Sequence, residues 1–186
     1  MDVLFINPAS QKKIYQDLAN KYTAIEPPTW SLLLAESCRS VGHDVGILDA
    51  CAEKLSYEEI LQRVKDLNPR LLCFVVYGTN VNAGTTNMSG ATELSNYIKE
   101  SGLETPISYV GSHVQALPYQ TLENEKSIDI IFTNEGVYAL RNLLSKDKIA
   151  LDNLEDIKGI GYSAPQCGML NMMRKREHLT LLFRRL

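Results

Sequence analysis

"RLLCFVVYGTNVNAGTTNMSGATELSNYIKE", residues 70–100, joins an unbroken apolar run to a helical pattern through a polar stretch. The run Leu71–Val76 shows no polar alternation, as expected of a strand covered on both faces. A helix is predicted from about Ser89 to Glu100. Between them, "YGTNVNAGTTNMSGA" (77–91) is almost entirely small or polar. A strand-to-helix connection usually needs only about 2–6 residues. A longer polar loop at a strand end is therefore expected to hold something.

The same alternation of strand and helix recurs on either side. "DVLFIN" (2–7), "HDVGILDA" (43–50), "TPISYVG" (105–111) and "SIDIIFT" (127–133) read as further strands. "TWSLLLAESCRSVG" (29–42) reads as a helix with Thr29 as its cap and Gly42 as its stop. "SYEEILQRVKDLNP" (56–69) carries a Ser56–Glu59 capping box and ends at Asn68-Pro69. A short helix or turn follows Val114, and "EGVYALRNLLSK" (135–146) is the last clear helix. Apolar strands separated by helices indicate a parallel sheet wrapped on both sides. The expectation is an α/β fold: a flavodoxin-like (Rossmann-like), doubly wound, five-stranded parallel sheet of order 2-1-3-4-5.

In such a sheet, ligands bind outside the carboxyl ends of the strands. The unusual connections all fall on that edge: a long segment after Asn7-Pro8, the stretch after Tyr77, "GSHVQALP" and "NEG". The opposite edge has the short turns "VGHD" and "LNPR". Trp30, at the start of the first helix, is expected to pack against the sheet rather than meet a ligand.

The chain has 186 residues, 45% of them hydrophobic and 22% charged, with a formal net charge of −3. That balance gives no support for nucleic acid or a membrane surface as a partner. The start of the chain lacks a signal-peptide core, no stretch is long enough to span a bilayer, and a cytoplasmic location is expected. Cys38, Cys51, Cys73 and Cys167 form no CxxC or CxxxCxxC pattern, so reduced structural thiols are expected and a self-contained metal cluster is not. A receiver domain needs acids where Asn7-Pro8 and Tyr77-Gly78 stand, and GxGxxG and GxxxxGK[ST] are both absent. The absence of these phosphate motifs also disfavours an enzyme with a flavin or another nucleotide on the rim.

"DVLFINPAS", "EPPTWSLLLAESCRSVGHDVGILDA", "YGTNVNAGTTNMSGA", "YVGSHVQALPYQTL" and "FTNEGVYALRNLL" together resemble the N-terminal cobalamin-binding domain of B12-dependent radical SAM enzymes. That family includes magnesium-protoporphyrin ester cyclases and radical methyltransferases. The resemblance covers about residues 2–162. It implies a cobalamin-binding domain over 1–162, followed by an atypical basic tail over 163–186. The tail contains Arg174-Lys175-Arg176 and stands as a truncated linker or a docking helix.

The resemblance further implies a corrin lying across the carboxyl rim, its nucleotide tail reaching between sheet and helices. Glycines would permit close backbone approach at Gly78, Gly111 and Gly136. Neutral hydrogen-bonding groups would come from Thr79, Asn80, Thr85, Thr86, Asn87 and Ser112. Asn7, Pro8, Tyr77, His113, Asn134 and Glu135 complete the expected binding set. No DxHxxG occurs, so cobalt is expected base-off without a lower histidine; His113 is the one rim histidine that could serve as an axial ligand. The expected function is a cobalamin-binding module for methyl transfer or related radical chemistry, not catalytic alone. Its partner would be a radical SAM domain, lost in cis or supplied in trans, which would carry the [4Fe-4S] cluster and S-adenosylmethionine. The alternative is a stand-alone B12 carrier or regulatory binding protein.

Overall fold

The computed structural model describes residues 1–8, 27–77 and 81–163, with backbone alone over 81–86. Six strands form one sheet in the order β2-β1-β3-β4-β5-β6. They are β1 (Val3–Asn7), β2 (Val45–Asp49), β3 (Leu71–Val75), β4 (Ile107–Val110), β5 (Ile130–Phe132) and β6 (Ile160–Tyr162). The first five are parallel, in the expected order. β6 was not foreseen and runs antiparallel to β5, pairing Ile131 with Gly161. Three residues are too few to show a period, and their pairing is to a distant strand.

The helices are α1 (Thr29–Arg39), α2 (Tyr57–Leu67), α3 (Val81–Glu100), α4 (Ser112–Ala116), α5 (Pro118–Asn124) and α6 (Val137–Leu144). Successive strand side chains point to opposite faces, which splits the interior in two. Phe5, Cys73, Val75 and Phe132 pack with Leu34, Ala35 and Cys38 of α1 and with Leu140 and Leu143 of α6. Leu4, Phe74, Tyr109 and Ile131 pack beneath α2, α3, α4 and α5, against Ile60, Leu94 and Val114. This explains the continuous apolar runs: neither face of the sheet meets water.

Local chemistry sets several helix ends. Ser56 Oγ accepts from the Glu59 amide and Glu59 accepts from the Ser56 amide, completing the expected capping box. Asn68 then closes α2 in the left-handed region, at φ 44°. Thr29 is not the cap of α1. Pro28 holds that position, and the Thr29 hydroxyl turns back to donate to the Pro27 carbonyl. The larger correction concerns α3, which begins at Val81 rather than near Ser89. Most of the polar stretch is therefore helix. Its own side chains are weak helix formers. The buried row Met88, Ala91, Leu94 and Ile98 ties the helix to the sheet and overrides that preference.

At the carboxyl edge, Val76 donates to the Val110 carbonyl at 2.8 Å. The strand ends are so close there that a Cβ on Gly111 would lie 2.4 Å from the Val76 carbonyl oxygen. The other edge is a charged clamp. Asp2 accepts from Arg70 Nη1 and from the Asp44 amide, each at 2.9 Å, and His43 Nδ1 lies 3.8 Å away. Arg70 also donates to the carbonyls of Leu144, Lys146 and Asp147, joining the end of α6 to the start of β3.

Gly111→Ala is expected to destabilise the protein by about 2–3 kcal/mol, because backbone rather than a flexible side chain must yield. Urea unfolding checks this; an unchanged midpoint would show that the two strand ends part freely. The hydrogen bond from the Asp44 amide and the Arg70 guanidinium hold the Asp2 carboxyl below its ordinary value of 3.8. A depressed folded-state value gives stability that is present above the unfolded value and lost as pH falls through the folded one. Asp2→Asn is expected to cost about 1–2 kcal/mol at neutral pH. The gap to the wild type should close once the solution is acidic enough to protonate Asp2. Unfolding curves from pH 7 to 3 test this; a gap independent of pH would assign the loss to shape instead of charge.

Candidate functional site

The parallel strands deliver Asn7, Tyr77, Gly111 and Asn134 to one edge, where α1, α3, α4 and α6 begin. An aromatic pair sits near the centre of that edge. The Trp30 ring, from the first turn of α1, stacks on Tyr77 beyond the end of β3, with centroids 4.4 Å apart and planes at 23°. Trp30 thus does not simply pack against the sheet; it remains 38% exposed at the rim. Tyr77 is half-buried against the α1 side of the sheet. Its hydroxyl oxygen accepts from Gln115 Nε2 at 2.6 Å, and its carbonyl accepts from Asn87 Nδ2 at 3.0 Å. Burial, opposed by the Gln115 bond and aided by the Glu135 carboxylate, pushes the phenol up to about 12. Tyr77 therefore presents a neutral, protonated hydroxyl.

The other expected residues divide by what they already do. Asn7 Nδ2 donates to Asp49 Oδ1 at 2.9 Å, so its amide braces β1 against β2, and Pro8 beside it is buried. Gly111 yields its space to Val76, as described above, so the close approach it permits is to the chain's own backbone. Gly136 has φ +77° and caps α6; a Cβ there would press on Phe132 and Val110 at 3.3 Å. Asn134 Oδ1 accepts from the Gly136 amide at 2.8 Å, shaping that turn. Ser112 and His113 open α4 and are half-buried, and Glu135 is exposed before the cap of α6. Gly78, Thr79 and Asn80 lie outside the described residues, as do the side chains of Thr85 and Thr86. Lys12, Lys13 and the 163–186 tail beyond Ser163 also lie outside them.

No group of three or more His, Cys, Asp or Glu could hold an ion among the described residues. Burial pushes the Cys38 thiol up to about 11 and the Cys73 thiol up to about 12, so both stay protonated inside the core. His43 lies at the opposite edge beside Asp2. No helix among the described residues is long and apolar enough to cross a membrane.

Two features of the rim escaped sequence reasoning. One is the Trp30–Tyr77 contact, which joins residues far apart in the chain. The other is Ser31, which is 1% exposed and whose Oγ has no hydrogen-bond partner. A serine at the first place of the row Ser31, Leu34, Ala35 and Cys38 was the available signal, since that row otherwise reads as core.

Known proteins share this architecture. A solved structure of the radical S-adenosylmethionine methyltransferase TsrM from Kitasatospora setae, with cobalamin and a [4Fe-4S] cluster bound, superposes with a TM-score of 0.62 at 18% identity. The match covers 86% of this chain and 27% of that one. The cobalamin-dependent S-adenosylmethionine radical enzyme OxsB, with aqua-cobalamin and S-adenosylmethionine bound, gives 0.60 at 16% identity, covering 97% and 25%. These likenesses are of fold. In sequence, an uncharacterized methyltransferase of Pyrococcus horikoshii is 25% identical over 160 residues, which is 86% of this chain and 31% of that protein. The chain thus spans about a third of that curated relative. Residues 15–144 match the B12 binding domain, a span that takes in β2 to β5 and the aromatic pair, and the chain belongs to that family.

Proposed function

We propose that this chain is the corrinoid-binding module of a cobalamin-dependent radical enzyme. It holds base-off cobalamin across the carboxyl rim and presents the cobalt to a catalytic half outside this sequence, joined in cis or acting in trans. The observation that carries the reading is the family match over residues 15–144, which includes the ends of β3, β4 and β5. The fold relatives were solved with cobalamin beside an iron–sulfur cluster or S-adenosylmethionine, and the curated relative is a methyltransferase. Carried over to this chain, those partners point to methyl transfer or a related radical reaction.

The residues at the rim suit such a ligand. A corrinoid is large, flat at its edges and rich in neutral amides, so it calls for aromatic surface and uncharged hydrogen-bonding groups. Tyr77, Ser112 and His113 supply these from the ends of β3 and β4. Asn87 and Gln115 hold Tyr77 in place through its carbonyl and its hydroxyl. A bound corrinoid supplies a cobalt centre able to carry a methyl group between donor and acceptor. The chain's own task is to orient that group and exclude water beneath it. The sequence lacks DxHxxG, which supports cobalt held without a histidine below it.

Mixing the protein with hydroxocobalamin, desalting it and recording the visible spectrum tests the reading. The expected result is a retained corrinoid with a base-off spectrum. A base-on spectrum would overturn the base-off arrangement. A colourless protein, both alone and with a cluster-bearing partner added, would overturn the function itself. Retention that needs the partner would favour a divided enzyme, because a ligand held between two halves loses much of its burial when one is missing.

A further inference from the structure

Seven large apolar side chains are exposed among the described residues, and four of them share one place. Trp30, Leu32 and Leu33 fall within the first five residues of α1, and Tyr138 is the second residue of α6. These two helices lie side by side and run in the same direction. Arg141 Nε donates to the Ser37 carbonyl and Arg141 Nη2 to Ser40 Oγ, each at 3.0 Å. Leu33 stands one turn before Ser37 and Tyr138 one turn before Arg141, on the same helix faces. Both therefore flank the seam between the helices, nearer the carboxyl rim. Leu33 is 57% exposed and Tyr138 76%. A lone exposed apolar side chain is ordinary, but a set gathered at one level of two packed helices marks a surface that another element covers.

The chain itself holds a segment of matching chemistry. In "HLTLLFRRL" (178–186), Leu179, Leu182, Phe183 and Leu186 recur at the i, i+3, i+4, i+7 spacing of a helical stripe. Arg184 and Arg185 fall off that stripe, and residues 164–186 carry five Lys or Arg against one Glu. The α1–α6 face offers the opposite sign. Glu36 follows Leu32 and Leu33 by one turn, and Glu135 comes just before the cap of α6. Both are exposed, and neither enters an ion pair among the described residues. Reach is sufficient. The fifteen residues 164–178 extend up to about 50 Å from Ser163, and a domain of this length is about 40 Å across.

We infer that residues 178–186 dock as an amphipathic helix on the α1–α6 face, their apolar stripe against Trp30, Leu33 and Tyr138 and their arginines towards Glu36 and Glu135. A helix laid by its apolar side into such a seam is anchored at this i, i+3, i+4, i+7 spacing. The stripe supplies the attachment. The charges set its orientation, since exposed ion pairs add little strength. This docking does not depend on the corrinoid reading.

The test reads Trp30, the single tryptophan of the chain, in the full-length protein without corrinoid. Docking covers its ring, so Phe183→Glu should shift its emission to longer wavelength and raise its quenching by acrylamide. Phe183→Leu should change neither. Glu36→Arg should act in the same direction as Phe183→Glu, and adding Arg184→Glu with Arg185→Glu should restore the wild-type spectrum. Cooperative melting shows each variant to be folded, and the charge arm decides alone if Phe183→Glu fails to melt cooperatively. A Trp30 signal unmoved by either substitution would overturn the docking. A response to Phe183→Glu alone would overturn the part given to Glu36. Protection that rises with protein concentration, with a matching dimer in sedimentation, would overturn the assignment in favour of a second copy. Protection that appears only when a cluster-bearing partner is added would overturn it in favour of that partner.

Discussion

Parallel strands can be joined only by crossovers of a dozen or more residues, and in this protein those crossovers place helices on both faces of the sheet. Once both faces are covered, the sheet can meet another molecule at its two ends and along its edge strands β2 and β6. The ends then differ in kind. At the amino edge Asp2, Arg70 and Lys99 with Asp129 tie strands and turns together through ion pairs of 2.7 to 2.9 Å. At the carboxyl edge the contacts are mostly aromatic, amide and hydroxyl.

The carboxyl edge is also where the chain comes closest to itself. Val76 leans over Gly111, Asn134 turns back on Gly136, and Asn7 reaches to Asp49. Each of these residues is engaged in building the platform. Tyr77, the half-buried start of α4 and the first turn of α1 stand beside that platform at the same edge. This division explains why glycines and asparagines gather at strand ends even where they do not themselves face a ligand.

What the sequence revealed was mostly what local chemistry decides. The runs Val3–Ile6 of β1 and Leu71–Val75 of β3 are apolar at every position because each position meets one of two cores. The Ser56–Glu59 box is legible because all its partners lie within four residues. The start of α3 was not legible. Gly84, Thr85 and Thr86 argue against helix, and what overrules them is packing of Met88 and Ala91 on strands whose placement the local sequence does not specify. β6 was missed for a related reason, since Ile160–Tyr162 becomes a strand only by pairing with β5. At the candidate site, Tyr77 was identifiable as a strand-end aromatic. Its stack on Trp30 and the stranded hydroxyl of Ser31 depend on how α1 settles on the sheet.

The correction to α3 changes how the rim should be understood. A loop of a dozen polar residues would suggest a cover that wraps its ligand. With α3 beginning at Val81, five residues separate it from the end of β3 at Val75. Asn87 Nδ2 bonds the Tyr77 carbonyl across that short segment, locking strand end to helix. Strand end and helix are thus held to each other before any ligand arrives, which lowers the entropy cost of binding at this edge.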